Sequence, residues 1–271
     1  MRNGLIAVIF MLVSLPAIAQ DSIQCIPSRL ISGKFSYFKP DDLGNLFALT
    51  TAGQLKKYNT SFDSMGVFND VRKYGRLHSI SFGNALRTAL YFKEYRTLLI
   101  VDRLMQVVNK IDLRKADAYQ VSLAALGYDN NIWLFDEQDS RIKKISEDGV
   151  MLFQTADLRV VLGEAIRPQT LFDLGGYIYL YDPARGLYIF DYYGALKKKI
   201  ALLEWSALQP LGKNIAGIKN GKLMVYAPES IDIREWMLGK ELINKRNIYF
   251  TPKSVMTLED AGIRVFDWKN N

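Results

Sequence analysis

The sequence predicts an all-β protein, a six-bladed β-propeller with four-stranded antiparallel blades, and three observations predict it. A unit of strand, turn and strand recurs six times at a mean spacing of about 42 residues. The recurring segments are β-branched and aromatic runs punctuated by Gly, Asn and Asp, not the i, i+3, i+4, i+7 pattern of a helix. The last unit stops after its third strand, while a strand-like segment near the start has no partner in its own unit. With 271 residues, 49% hydrophobic and 23% charged, the chain is neither disordered nor collagenous, and it holds ample apolar surface for a core.

The chain opens with an address. Met1-Arg2-Asn3 carries the only early charge, an apolar run covers Leu5–Leu15, and Pro16 leads into Ala17-Ile18-Ala19. This is the pattern of a secretory signal peptide over residues 1–19, with cleavage expected near Ala19–Gln20. The apolar run is roughly ten residues, too short for the ~20 that span a bilayer. Residues 20–271 are then a single propeller domain, periplasmic, at the periplasmic face of an outer membrane, or secreted. Cys25 is the only cysteine, and Ser22-Ile23-Gln24 before it is not what a lipidation site requires, so no covalent membrane anchor is expected. No cation sits beside Cys25 to activate its thiol, which reads as buried filler.

Ser22–Ser32 is expected to be the outer strand of the sixth blade, because the chain ends at Trp268-Lys269-Asn270-Asn271 directly after that blade's third strand. Pairing there leaves no open first or last blade. Lys34–Lys39 reads as the first unit's inner strand. The strand pairs follow in order: Asn45–Leu49 with Leu55–Tyr58; Thr97–Asp102 with Val107–Ile111; Asn131–Asp136 with Arg141–Ile145; Tyr177–Asp182 with Leu187–Phe190; Lys222–Tyr226 with Ile231–Arg234; and Ser254–Glu259 with Ile263–Phe266. Hairpin signals at Glu147-Asp148-Gly149 and Tyr192-Tyr193-Gly194 lead into fourth strands, where Gly supplies the positive φ of a tight turn. Lys56-Lys57, Lys143-Lys144 and Lys197–Lys199 read as solvated outer strands. Trp133 and the Tyr177–Tyr181 run read as packing between blades, and Trp236 and Trp268 as partly exposed.

Asn130-Asn131-Ile132-Trp133-Leu134-Phe135-Asp136 with Arg141–Ile145, and Tyr181-Asp182-Pro183 with Gly186–Asp191, resemble small exported bacterial propellers related to NHL and WD40-like repeats. Length, export signal and degenerate blades also resemble the periplasmic plug protein of a type 9 secretion translocon, which implies a partner in the outer membrane. The YWTD, kelch, Asp-box and quinoprotein tryptophan motifs are missing.

His78 is the only histidine, so zinc sites of His and Cys and conventional Ser-His-Asp or Cys-His systems are out. There is no phosphate-cradling G-x-x-x-x-G-K-[ST] and no G-x-S-x-G elbow. A hydrolase or lactonase working through channel carboxylates is the enzymatic alternative, and a small-molecule or glycan-binding module a third. Asp102, Asp136, Asp182 and Glu259 open inner turns in four units and would ring the channel mouth. Repetition across blades favours turn-holding over chemistry for these acids.

The stretch Asn69–Thr88 reads as the longest loop, and it carries Arg72, Lys73, Tyr74, Arg76 and His78. In a chain with 35 Lys+Arg against 28 Asp+Glu, these residues are the candidate contact surface for a protein partner, with Tyr74 as anchor and Asp102 nearby. Export and the lack of a recognised motif exclude nucleic acid. The reading is a monomeric, non-catalytic interaction module with no cofactor and no metal.

Overall fold

A computed structural model describes residues 22–269 apart from 85, 244 and 246. The signal-peptide assignment lies outside the described residues. Six four-stranded antiparallel sheets form the blades of a six-bladed propeller, and the fifth has an additional edge strand. Their innermost strands are Phe35–Pro40, Ser79–Asn84, Val121–Leu126, Thr170–Leu174, Ser206–Leu211 and Ile248–Phe250. Their second strands are Leu46–Thr50, Arg87–Phe92, Ile132–Asp136, Tyr177–Asp182, Asn214–Lys219 and Ser254–Glu259.

The core is not central. It is divided into six apolar layers, each between neighbouring blades. Phe47, Leu49 and Leu55 of blade 1 meet Leu90, Phe92, Leu99 and Val101 of blade 2. Around the ring, Phe38, Leu46 and Ala48 of blade 1 meet Met256, Ile263 and Val265 of blade 6. A sheet covered on both faces must be apolar on both, which is why Thr97–Val101 and Gly186–Phe190 are buried at every residue. Each large side chain so buried contributes about 1.5–3 kcal/mol, spread evenly round the ring rather than focused at one point.

Closure follows the expected plan. Cys25–Ser32 is the outermost strand of blade 6, running antiparallel to Gly262–Trp268 from Cys25↔Trp268 to Ser32↔Gly262. Gly262 shows the substitution at atomic detail: a β-carbon there would stand 2.1 Å from the Ile31 carbonyl oxygen. Gly186, at the matching place in blade 4, would meet the Ile200 carbonyl oxygen at 2.4 Å. The N-terminal strand thus occupies the place that a blade's own fourth strand holds elsewhere. One part of the expectation is corrected. Ser22–Ile23 leaves blade 6 and pairs in parallel with Asp232–Leu238 of blade 5, tying the two blades together.

Two blades are shifted by one strand from the sequence assignment. In blade 2, Thr97–Val101 is the third strand, and the supposed loop Asn69–Thr88 contains the innermost strand Ser79–Asn84 and the start of the second. In blade 5, Lys222–Ala227 is third and Asp232–Leu238 fourth. Second and third strands are both covered on two faces, so hydrophobicity does not separate them. The paired lysines are corrected for the same reason. Lys56-Lys57 and Lys143-Lys144 lie on third strands, and Lys57 and Lys143 are buried, whereas Lys197–Lys199 is an outer strand.

Candidate functional site

Alternating strand directions give the ring two unlike faces. Blade-to-blade connections and second-to-third turns emerge together, here called the upper face; first-to-second and third-to-fourth turns emerge below. Asp136, Asp182 and Glu259 end second strands and belong above. Asp102 follows a third strand and belongs below, so the expected ring of four acids and the proximity of Asp102 to Arg72 are corrected.

Each acid is engaged in its turn. Asp136 is fully buried and accepts hydrogen bonds from the backbone N–H of Tyr119, Gln120 and Gln138, and from Lys143 Nζ at 2.8 Å. Lys143 Nζ also reaches Asp139 at 2.8 Å and donates to the Asp117 carbonyl. Burial pushes the Asp136 carboxyl up, but the Lys143 ammonium and the backbone donors outweigh it and hold it below the usual range. Asp182 accepts from the N–H of Arg167 and Ala184. Both acids therefore bind the incoming connection to the turn beneath it. Glu259 pairs with Lys245 at 2.8 Å and Arg264 at 3.3 Å. Below, Asp102 accepts from the N–H of Leu104 and Gln106.

The connection from blade 1 to blade 2 opens with a 3-10 turn, Asp70–Tyr74, that buries Val71. Arg72 rests over Gly53, its Nε 2.7 Å from where a β-carbon would stand. Arg76 receives the Glu94 carboxylate on its backbone N–H. His78 sets its ring edge-on to Tyr91, with Nε2 3.2 Å from the Ser122 carbonyl oxygen. Burial, Lys93 and Arg76 all lower its pKa against the Ser122 bond, so the imidazole is held neutral. Arg72, Lys73, Arg76 and His78 are exposed. Tyr74 is not a free anchor: it packs on Phe92 at 5.5 Å between centroids, beneath the ammonium groups of Lys73 and Lys110.

The structure adds charges that the sequence reading missed. Lys93 and Arg96 lie on the second-to-third turn of blade 2, and Arg96 accepts on its carbonyl from Leu113 N–H, next to Lys115. With Lys110, these lie beside the first group on blade 2 and its two flanking connections, with Glu94, Asp112 and Asp117 among them. None of Arg72, Lys73, Arg76, Lys93, Arg96, Lys110 and Lys115 makes an ion pair with a described carboxylate. The signal was available only through the fold, because these residues come from three separate segments.

Between the innermost strands lies a cavity of about 1110 Å³ that reaches the lower-face turns Asp41–Gly44 and Thr251–Lys253. Lys39 stands on its wall, donating to the Ile80 carbonyl oxygen at 2.7 Å and lying 5.4 Å from the Phe82 ring centre. Across the ring, Asp173 accepts from Tyr128 N–H and from the Tyr192 hydroxyl. Among the described residues, no group of three His, Cys, Asp or Glu side chains is arranged to hold a metal ion.

Fold and faces define a six-bladed propeller, and its structural neighbours are propellers of the WD40 and lyase kinds. Virginiamycin B lyase from Staphylococcus aureus superposes with a TM-score of 0.59 and 10% identity, covering 92% of this chain and 100% of the lyase. The Pan2 WD40 domain from Neurospora crassa gives 0.59 and 11%, covering 88% and 90%. BBS1N, solved in complex with ARL6DN, gives 0.55 and 10%, covering 92% and 98%. Identities this low establish the fold alone. No protein-family profile matches the chain, and no curated protein sequence matches it.

Proposed function

We propose that the protein is an interaction module whose upper face over blades 1–3 docks an acidic surface of a protein partner. The observation that carries this reading is the gathering on one face of seven cations that make no ion pair among the described residues. Neighbours such as BBS1N, solved with a bound protein, support a protein partner for a propeller of this kind. Another neighbour is a lyase with a variant inactivated by replacing one histidine. Here the sole histidine, His78, is held neutral on the upper face, and among the described residues it has no carboxylate within hydrogen-bonding distance. The structural neighbours lend no support to a secretion plug.

Export through a signal peptide over residues 1–19 remains part of the proposal, and mass spectrometry of the native protein should find a start near Gln20. Arg72, Lys73 and Arg76 replaced together by Glu should abolish co-purification of the partner at low and physiological salt, with the melting temperature unchanged. Undiminished recovery at both salts would show that this face is not the interface.

A further inference from the structure

The lower end of the channel offers a second and chemically different site. Its walls are mixed, and Phe82, Leu123, Phe172, Leu174, Leu211 and Tyr249 supply the apolar part of a cavity of about 1110 Å³. That volume is slightly above the roughly 300–1,000 Å³ of most small-molecule sites. Of the three cations that line it, Arg29 and Lys253 lie exposed at the rim, and Lys39 alone is set into the wall between inner strands. Its single protein acceptor is the Ile80 carbonyl, and among the described residues it has no carboxylate within 4.0 Å. Asp42 acts on it only from a distance. A cation desolvated between inner strands without an adjacent counter-charge is costly, and the cost is recovered when an anion is supplied.

We propose that the channel binds an apolar monocarboxylate, a fatty acid, with its carboxylate on Lys39 and its acyl chain along Phe82, Leu174, Leu211 and Tyr249. The one cation set between the inner strands balances one negative charge. A phosphate dianion or a dicarboxylate would bring surplus charge beside Asp173, in a cavity whose rim cations Arg29 and Lys253 are already offset by Asp41, Asp42 and Asp267. Burial pulls the free Lys39 amine down to about 8, as expected for an ammonium lacking its counter-ion. The site opens on the lower face, away from the basic docking surface, and does not depend on it.

Titration calorimetry with octanoate, decanoate and decanol, below their micellar concentrations, tests the assignment on the wild type, Lys39→Met and Lys39→Arg. Decanoate should bind the wild type at least tenfold tighter than decanol does, and octanoate should bind more weakly by about fourfold per methylene lost. Lys39→Met should lose the preference for decanoate over decanol, and Lys39→Arg should keep most of it. If Lys39→Met fails to fold, NMR of wild-type protein with methylated lysines should show the Lys39 signal shifting with decanoate and not with decanol. Absence of decanoate binding, equal affinity for acid and alcohol, or equal affinity of wild type and Lys39→Met for decanoate would each overturn the proposal.

Discussion

Replacing Asp136 by Ala tests how the connections are fastened to the blades. The substitution removes one carboxylate, takes the acceptor from the N–H groups of Tyr119, Gln120 and Gln138, and removes one of the three partners of the Lys143 ammonium. The side chains of Asp136 and Lys143 are 0% and 4% exposed, so water does not replace what is lost. Breaking a buried charge pair by removing one partner costs about 3–5 kcal/mol. Lys143 keeps Asp139 and the Asp117 carbonyl, which places the expected loss at the lower end, about 3 kcal/mol. For a domain of this size that is a fall in melting temperature on the order of 10 °C. Asp102→Ala, which frees only two backbone donors in a more open turn, should cost about 1 kcal/mol. The pH dependence carries the sign. The Asp136 carboxyl titrates below its unfolded value, so its contribution is complete above about pH 4 and disappears as pH falls through the folded value. Urea titrations of wild type and variant should therefore converge in acid. Equal losses for Asp136→Ala and Asp102→Ala, or a difference from wild type that does not shrink in acid, would refute the reasoning.

Removing residues through Ser32 should lower the melting temperature sharply by exposing the Gly262–Trp268 edge, and an unchanged scanning-fluorimetry curve would count against closure. Cys25 is buried, donates to Glu241 Oε1 at 3.1 Å, and has its thiol pushed up to about 12 by burial and that carboxylate. It should resist iodoacetamide at pH 8 in the native protein and react within minutes in urea; rapid native labelling would show a frayed closing strand. Gly262→Ala and Gly186→Ala should each destabilise by roughly 2 kcal/mol or more, since each β-carbon meets a backbone carbonyl. Only Gly262→Ala should speed Cys25 labelling, because only its carbonyl belongs to the closing strand; equal acceleration in both would argue against that local effect.

Blade number and closure were legible because they depend on counting: six copies of a strand pair and one unit short of a strand. Which strand was which depended on exposure, and Leu98-Leu99-Ile100-Val101 reads the same as a second or a third strand. The inner strand Ser79–Asn84, with Ser, Gly and Asn in its six residues, looks like loop because one side faces a channel rather than a neighbouring sheet. Part of the basic face was visible in Arg72–Arg76. Lys93, Arg96, Lys110 and Lys115 were not, since only the ring brings their segments together. Lys39, between Phe38 and Pro40, gives no sign in sequence that its ammonium lies against a carbonyl of the next blade.

The strand exchange in blade 6 also sets a timetable. Cys25 and Glu241 touch across 216 positions of sequence, so the closing segment emerges from the ribosome early and finds its place last. Any chain with blades missing presents two raw sheet flanks, and the entropy of bringing the ends together falls due only at the final step. A solenoid that loses a repeat is a shorter solenoid. This ring, losing one, has a gap that the five remaining wedges cannot span, so its blades stand or fall as one cooperative unit.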